Sequence, residues 1–377
     1  MDKRKIYFPN LNGLRFIAAF LVIIHHIEQF KSISKFDNYW GSSPFIGIIG
    51  KLGVILFFVL SGFLITYLLL AEEKSFKTIS IKKFYVRRML RIWPLYFLIV
   101  ILSFLVLPNI DLFILPGFNK EEVYSNLWLK LFLYAIFFPN LVLALFGLVP
   151  FASHTWSIGT EEQFYLVWPV LLKYVRKQRI LLMLFIIVGY VIMNLALSTH
   201  YTDMLPFKRP IRSFWSMFNI DCMAIGGIFA ILLFQKSKLL SIFQNSILFY
   251  SSLTLVTILI IQGAHIPYIH FEVYSVLFAI IILNLASNKN IKLSLENRVF
   301  NYLGNISYGL YMYHPIAIVL ALVISTHLDY TENWLIYPLS FALTIAMASI
   351  SYKYYESFFL KFKLKFSNIL SGNQTAS

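Results

Sequence analysis

LRFIAAFLVIIHHI, residues 14–27, is apolar and long enough to form the body of a membrane span. Arg15 nevertheless stands at one end of it, and His25 and His26 stand near the other. Arg15 and His26 are eleven residues apart. That is close to three helical turns, so both lie on one face, roughly 16 Å apart along the axis. An ionisable side chain inside a span is costly and marks a functional position by default.

Composition extends this reading to the whole chain. Its 377 residues are 59% hydrophobic and 13% charged, with a mean hydropathy of +0.73. A soluble domain carries about a quarter charged residues, so the chain reads as an all-α polytopic membrane protein. The 37 phenylalanines and 23 tyrosines suit helix packing and interfacial belts. A single cysteine, Cys222, excludes an internal disulfide and argues against a zinc or redox site. Adjacent His25 and His26 point about 100° apart on a helix, a poor arrangement for a metal. The net charge of +15 does not indicate nucleic acid, because the excess sits in short loops between apolar runs, where it sets orientation. The leading MDKRK precedes an apolar run with no small-residue cleavage site, which reads as an uncleaved first span.

Runs long enough to cross the bilayer fall near 12–30, 50–71, 92–108, 156–174, 180–199, 213–234, 247–263, 271–287, 302–325 and 334–353. A further run, 126–148, contains Lys130 and is broken by Pro139-Asn140. Basic clusters at Lys3-Arg4-Lys5, 74–91, 173–179, Lys236/Lys238, 289–298 and Lys361/Lys363/Lys365 belong on the cytoplasmic side. Only even numbers of crossings separate them, so 126–148 lies in the outer interface or dips in and returns. The count is about ten transmembrane helices with both termini cytoplasmic. One outer loop, with Lys208, Arg209 and Arg212, breaks the charge rule. It is either an ordinary exception or a site for an anionic acceptor. Residues 1–360 form one membrane domain without internal repeats, and 361–377 read as a basic, disordered cytoplasmic tail.

With this orientation His26 falls in the outer half of the first span. The fourth span enters from outside as HTWSIGTEEQFYLVWP, bringing Glu161 and Glu162 to a similar depth. A carboxylate that orients an imidazole is the usual companion of a general base. The plainer alternatives are a satisfied histidine pair on a packing face and a solvated interfacial acid pair. Arg87, Arg88 and Arg91 flank the third span, with Pro94 shaping its first turn. Arg88 and Arg91 are three apart and face the same way, and their forks suit phosphates. A topogenic basic flank is the alternative. His314-Pro315 lies midway along the ninth span, where proline frees a backbone carbonyl. Packing could equally account for that histidine. Ser61-Gly62 in the second span suggests close helix contact and nothing chemical.

Five stretches in order, LNGLRFIAAFLVIIHH, GVILFFVLSGFLIT, RRMLRIWPLY, TWSIGTEEQFYLVWP and LGNISYGLYMYHP, span residues 11 to 315. Together they resemble the integral membrane acyltransferase-3 family of the polysaccharide O-acyltransferase type. The family's first-motif histidine, eleven residues after its arginine, corresponds to His26. Its arginine pair corresponds to Arg88 and Arg91, and its acid after Trp156-Ser157 corresponds to Glu161. The resemblance implies transfer of an acyl group, with acetyl expected, from cytoplasmic acyl-CoA to a hydroxyl of a cell-surface glycan or its lipid-linked precursor. His26 and Glu161 would be catalytic, and Arg88, Arg91 and Arg87 would bind acetyl-CoA as donor substrate. Arg15, His25, Glu162, Trp156, Ser157 and His314 would support them. No metal is implied.

The chain is expected to be multi-pass in the inner (plasma) membrane among membrane lipids, and self-association into a homo-oligomer is left open. Asn12 and Ile55 stand where the family commonly has aspartate, which bears on subgroup and acceptor. Members often carry a C-terminal periplasmic esterase-like domain. Without one the chain is expected to act alone or to hand its acyl group to another protein. A secondary transporter of a small anion would also bury Arg, His and Glu, but usually shows inverted repeats. A non-catalytic assembly protein would leave His26 and Glu161 without a use.

Overall fold

The computed structural model describes residues 5–199, 204 and 206–371. Lys3, Arg4 and the end of the expected tail, 372–377, lie outside the described residues. Nearly all apolar runs fold as helices, because in hydrocarbon each backbone N–H and C=O must be bonded within its own segment.

Helix α1 (Leu11–Ile33) is followed by the 33-residue α2 (Pro44–Phe76). Ser43 caps α2 by accepting from the Ile46 N–H, and Pro44 sits at its first position. α3 (Ile81–Ile101) continues through a π turn at Leu102–Val106. After the short α4 (Lys120–Tyr124) come α5 (Leu127–Ala135) and α6 (Pro139–Phe146). These last two have nine and eight residues, about 13 Å each, so neither crosses a bilayer. α7 (Trp156–Tyr174), α8 (Arg179–Ser198), α9 (Lys208–Met217) and α10 (Ile220–Gln235) follow. Then come α11 (Leu240–Phe243), α12 (Ser246–Ile261), α13 (His270–Ser287), α14 (Arg298–Asn305) and α15 (Ser307–His327). α16 (Asn333–Ser351) passes through a π turn, Tyr352–Glu356, into α17 (Ser357–Lys365).

Among the described residues eight helical segments are long and apolar enough to span a membrane. The other two expected spans are helical as well: α7 carries Glu161 and Glu162, and α12 has 16 residues. α2 is the central post. Gly62 lies against the Met223 backbone of α10, and Gly226 of α10 lies against the Val59 carbonyl of α2. A Cβ at either place would collide, so these glycines let α2 and α10 approach closely.

The loops that the charge rule assigns to the cytoplasm meet at one end. Lys5–Ile6 (β1) pairs in parallel with Leu370–Ser371 (β2). Tyr7 donates to Glu296, Lys83 to Asn368, and Gln244 to the Ser287 carbonyl. Arg176 and Arg179 both pair with Glu73 at the end of α2. At the opposite end Lys31 donates to Asn333, and Tyr190 to the Trp215 carbonyl. These ends are called inner and outer below.

Two expectations need correction here. The described part of the tail is ordered: α17 buries Lys363, and 370–371 pair with the N-terminal strand. Pro94 lies thirteen residues beyond Ile81, inside α3, because the basic flank is itself helical and α3 begins well before the apolar run.

Candidate active site

A cavity of about 480 Å³ opens among α1, α2, α3, α7, α15 and α17 toward the inner end. Five cations line it, Arg15, Arg88, Arg91, Lys361 and Lys363, against two acids, Glu161 and Glu356. No carboxylate pairs with any of the five among the described residues. Among the described residues Arg15 donates to Asn12 alone, at 3.1 Å. The Nε of Arg88 is buried without a partner, and its guanidinium rests against the rings of Phe84 and Tyr165. A buried unpaired donor in a folded protein calls for an explanation. The π turn at Tyr352–Glu356 widens the last span locally and brings both of its end residues to the cavity wall.

Glu161 does not orient His26, contrary to the expectation from the sequence. Its carboxylate accepts from Ser61 at 2.8 Å and from the Tyr165 hydroxyl at 2.9 Å, inside the arginine-lined cavity. Depth explains the difference. His154 meets the histidines, and Glu161 lies seven residues further in, about 10 Å along the helix. Ser61, read as packing only, is therefore part of the polar site, whereas Gly62 makes the close contact expected of it.

The outer wall of the cavity is Ser157 and Tyr311. The Tyr311 hydroxyl donates to the His154 carbonyl at 2.7 Å and lies 2.7 Å from Ser157 Oγ. With its own proton so used, it accepts from Ser157. Behind Tyr311 four histidines gather. The His26 ring lies 4.8 Å from that of His314 and 5.2 Å from that of His25, and His314 lies 5.2 Å from His154. Among the described residues no group of three or more potential ligands is placed to hold a metal; a hydrogen bond joins His26 and His314, and the other ring pairs pack edge to face.

Those bonds assign the tautomers. Pro315 has no N–H, which leaves the Tyr311 carbonyl of α15 without its helical donor. His314 Nδ1 lies 2.6 Å from that oxygen. A carbonyl only accepts, so Nδ1 carries the proton and Nε2 the lone pair. His314 Nε2 is 3.1 Å from His26 Nδ1, which is also 3.0 Å from the Val22 carbonyl. His26 Nδ1 therefore carries its proton and donates to both. Its Nε2 is left with a free lone pair, the requirement for a base. His25 Nδ1 is held in the same way by the Ile46 carbonyl at 2.7 Å, and its ring packs against Gly50.

The remaining expected residues divide. Arg87 turns away from the main cavity, pairing with Glu72 and donating to the Phe366 carbonyl. Glu162 accepts from the Trp93 indole at 3.1 Å, and its other oxygen is buried without a partner. Trp156 lies beneath the Lys51 ammonium rather than in the cavity. Sequence reasoning missed His154, Tyr311 and Lys363. His154 carried one signal, as a histidine directly before the Trp156-Ser157 stretch. Tyr311 sits inside the LGNISYGLYMYHP stretch but was one of three tyrosines there, and Lys363 carried no signal beyond a basic flank.

Residues 8–353 match the acyltransferase-3 domain family. The chain is 27% identical to the O-acetyltransferase OatA of Staphylococcus aureus over 93% of its own length and 57% of that protein's. It is 30% identical to the peptidoglycan O-acetyltransferase OatA of Listeria monocytogenes over 48% of its own length and 28% of that protein's. The chain thus spans less than two thirds of these curated relatives. No solved structure matches it. An enzyme family takes the place of the transporter and assembly alternatives: the chain is a multi-pass membrane protein of the acyltransferase-3 family.

Proposed function

We propose that the chain transfers an acetyl group from acetyl-CoA to a hydroxyl of a cell-surface glycan or its lipid-linked precursor, in the plasma membrane. The observation that carries this reading is the cavity of five cations without ion-pair partners, closed at its far end by Tyr311, behind which His26 holds a free Nε2. Guanidinium forks and a buried ammonium suit the diphosphate and ribose phosphate of the donor. The pantetheine arm then extends along the cavity toward Ser157 and Tyr311.

His26 Nε2 takes the proton of the acceptor hydroxyl as its oxygen attacks the thioester carbonyl. The C–S bond breaks, and the departing thiolate takes the proton from the imidazolium. One hydroxyl and one acetyl-CoA thus give one ester and one CoA thiol. The lone pair of His314 faces His26 Nδ1–H and favours the charged ring that forms in passing.

Purified protein in nanodiscs with radiolabelled acetyl-CoA tests this. Loss of a general base costs about 10²–10⁴ in rate, so His26→Ala is expected to lose transfer by that factor. Wild-type product formation by His26→Ala at matched membrane abundance would overturn the reading.

A further inference from the structure

The outer basic loop acquires a second component in the folded chain. Arg209, Arg212 and Ser216 lie at i, i+3 and i+7 on α9, hence on one face about 10 Å long. Arg209 and Arg212 are exposed and have no ion pair among the described residues. At the end of that face Lys51 of α2 donates to the Ser216 carbonyl at 3.2 Å. The Lys51 ammonium lies 3.9 Å above the Trp156 ring and 5.3 Å from the Phe271 ring. Asp221 and Glu272, behind it on α10 and α13, interact with each other; Asp221 also attracts the Lys51 ammonium, but no carboxylate among the described residues lies within ion-pair distance of it. Lys51 follows Gly50, the residue on which His25 packs, and Trp156 is two residues from His154. The strip therefore ends at the depth of the histidine cluster along α2 and α7.

Basic residues are disfavoured in short translocated loops. A lysine inside a span is costly, and an aromatic face returns only about 0.5–2 kcal/mol of that cost. Three cations aligned toward the histidines on the disfavoured side fit a ligand that brings negative charge.

We infer that Arg209, Arg212 and Lys51 form the acceptor track, and that the acceptor is an anionic glycan carrying phosphate or carboxylate near the hydroxyl to be acylated. This rests on the transfer reading above. The phosphate or carboxylate steers the glycan along α9, and Lys51 fixes its register against His26.

The test uses cells producing the full chain, fed labelled acetate, with base-labile label on surface glycans separated by anion exchange. His26-dependent label is expected in the retained, anionic fraction. Hydrofluoric acid, which cleaves phosphodiesters, then tells a phosphate polymer from a carboxylate one. Arg209→Gln/Arg212→Gln and Lys51→Met are each expected to lower that label about tenfold, as loss of charge-assisted contacts does, with acetyl-CoA affinity unchanged. Label in the unretained neutral fraction would overturn the inference. So would retained label unaffected by Arg209→Gln/Arg212→Gln, exposed changes that do not threaten folding. Absence of any His26-dependent label would instead remove the transfer reading itself, and this inference with it.

Discussion

Arg87 and Arg88 are neighbours in sequence and opposites in use. Arg87 pairs with Glu72 at 3.3 Å, closing the loop between α2 and α3. Glu73 likewise ties Arg176 and Arg179, at 3.1 and 2.7 Å, to the end of α2. At the outer end Lys31 and Glu28 form a 2.7 Å pair whose side chains are both 0% exposed. Glu28 also accepts from the Tyr39 N–H and the Tyr337 hydroxyl. Arg15, Arg88, Arg91 and Lys363 pair with no carboxylate among the described residues. Arg87, Arg176, Arg179 and Lys31 carry their counter-ions with them. On the reading proposed above, the cavity cations meet the charge of the donor.

That contrast can be broken most severely at Glu28. Removing one partner of a buried pair leaves an uncompensated charge and costs about 3–5 kcal/mol. Glu28→Ala is therefore expected to lower the thermal unfolding midpoint in detergent by many degrees, whereas Arg88→Ala leaves it unchanged or raised. Equal midpoints for the two would erase the distinction.

Arg88→Ala and Arg91→Ala sharpen it from the other side. Each removes charge-assisted contacts worth about 1.5–3 kcal/mol, so the acetyl-CoA Kd is expected to rise tenfold or more. Arg87→Ala should leave that Kd within about twofold and lose about 1–3 kcal/mol of stability instead, because Glu72 keeps the Ser80 N–H and Asn368 as partners. Isothermal titration beside thermal unfolding separates the two columns of effect.

The smallest effect lies in the inner loop. Burial alone would raise the Glu296 carboxyl, but hydrogen bonds from Tyr7, the Asn10 N–H and Asn301 outweigh it and hold its pKa below 4.5. A carboxylate depressed in the folded state contributes stability above its unfolded pKa and loses it as pH falls through the folded value. Amide protection over residues 7–10, corrected for intrinsic exchange, is therefore expected to be flat from pH 7 to about 5 and to fall below that. Glu296→Gln should show the lower protection already at neutral pH, with no acid step.

Much of the architecture was legible from residue order. Each expected span is helical, and 126–148 breaks into two helices too short to cross, as the parity of basic loops required. Pro315 announced a free carbonyl, and His314 takes it. Arg88 and Arg91 share a cavity with Arg15. Misreadings came where two helices had to be set at a common depth. Glu161 and His26 belong to runs of opposite direction, and a shift of seven residues separated a carboxylate–imidazole pair on paper from a carboxylate among arginines in space.

Hydropathy, charge placement and helical periodicity are properties of single segments, so the sequence alone determined the all-α multi-pass class and the faces that carry Arg15, His26, Arg88 and Arg91. Which face meets which, and at what depth, is a property of packing between segments. Gly62 against Met223 and Gly50 against His25 set those approaches. Only the tertiary structure therefore decided that His26 answers to His314, that Glu161 answers to Ser61 and Tyr165, and that Lys363, from what read as a tail, joins the cations of the cavity.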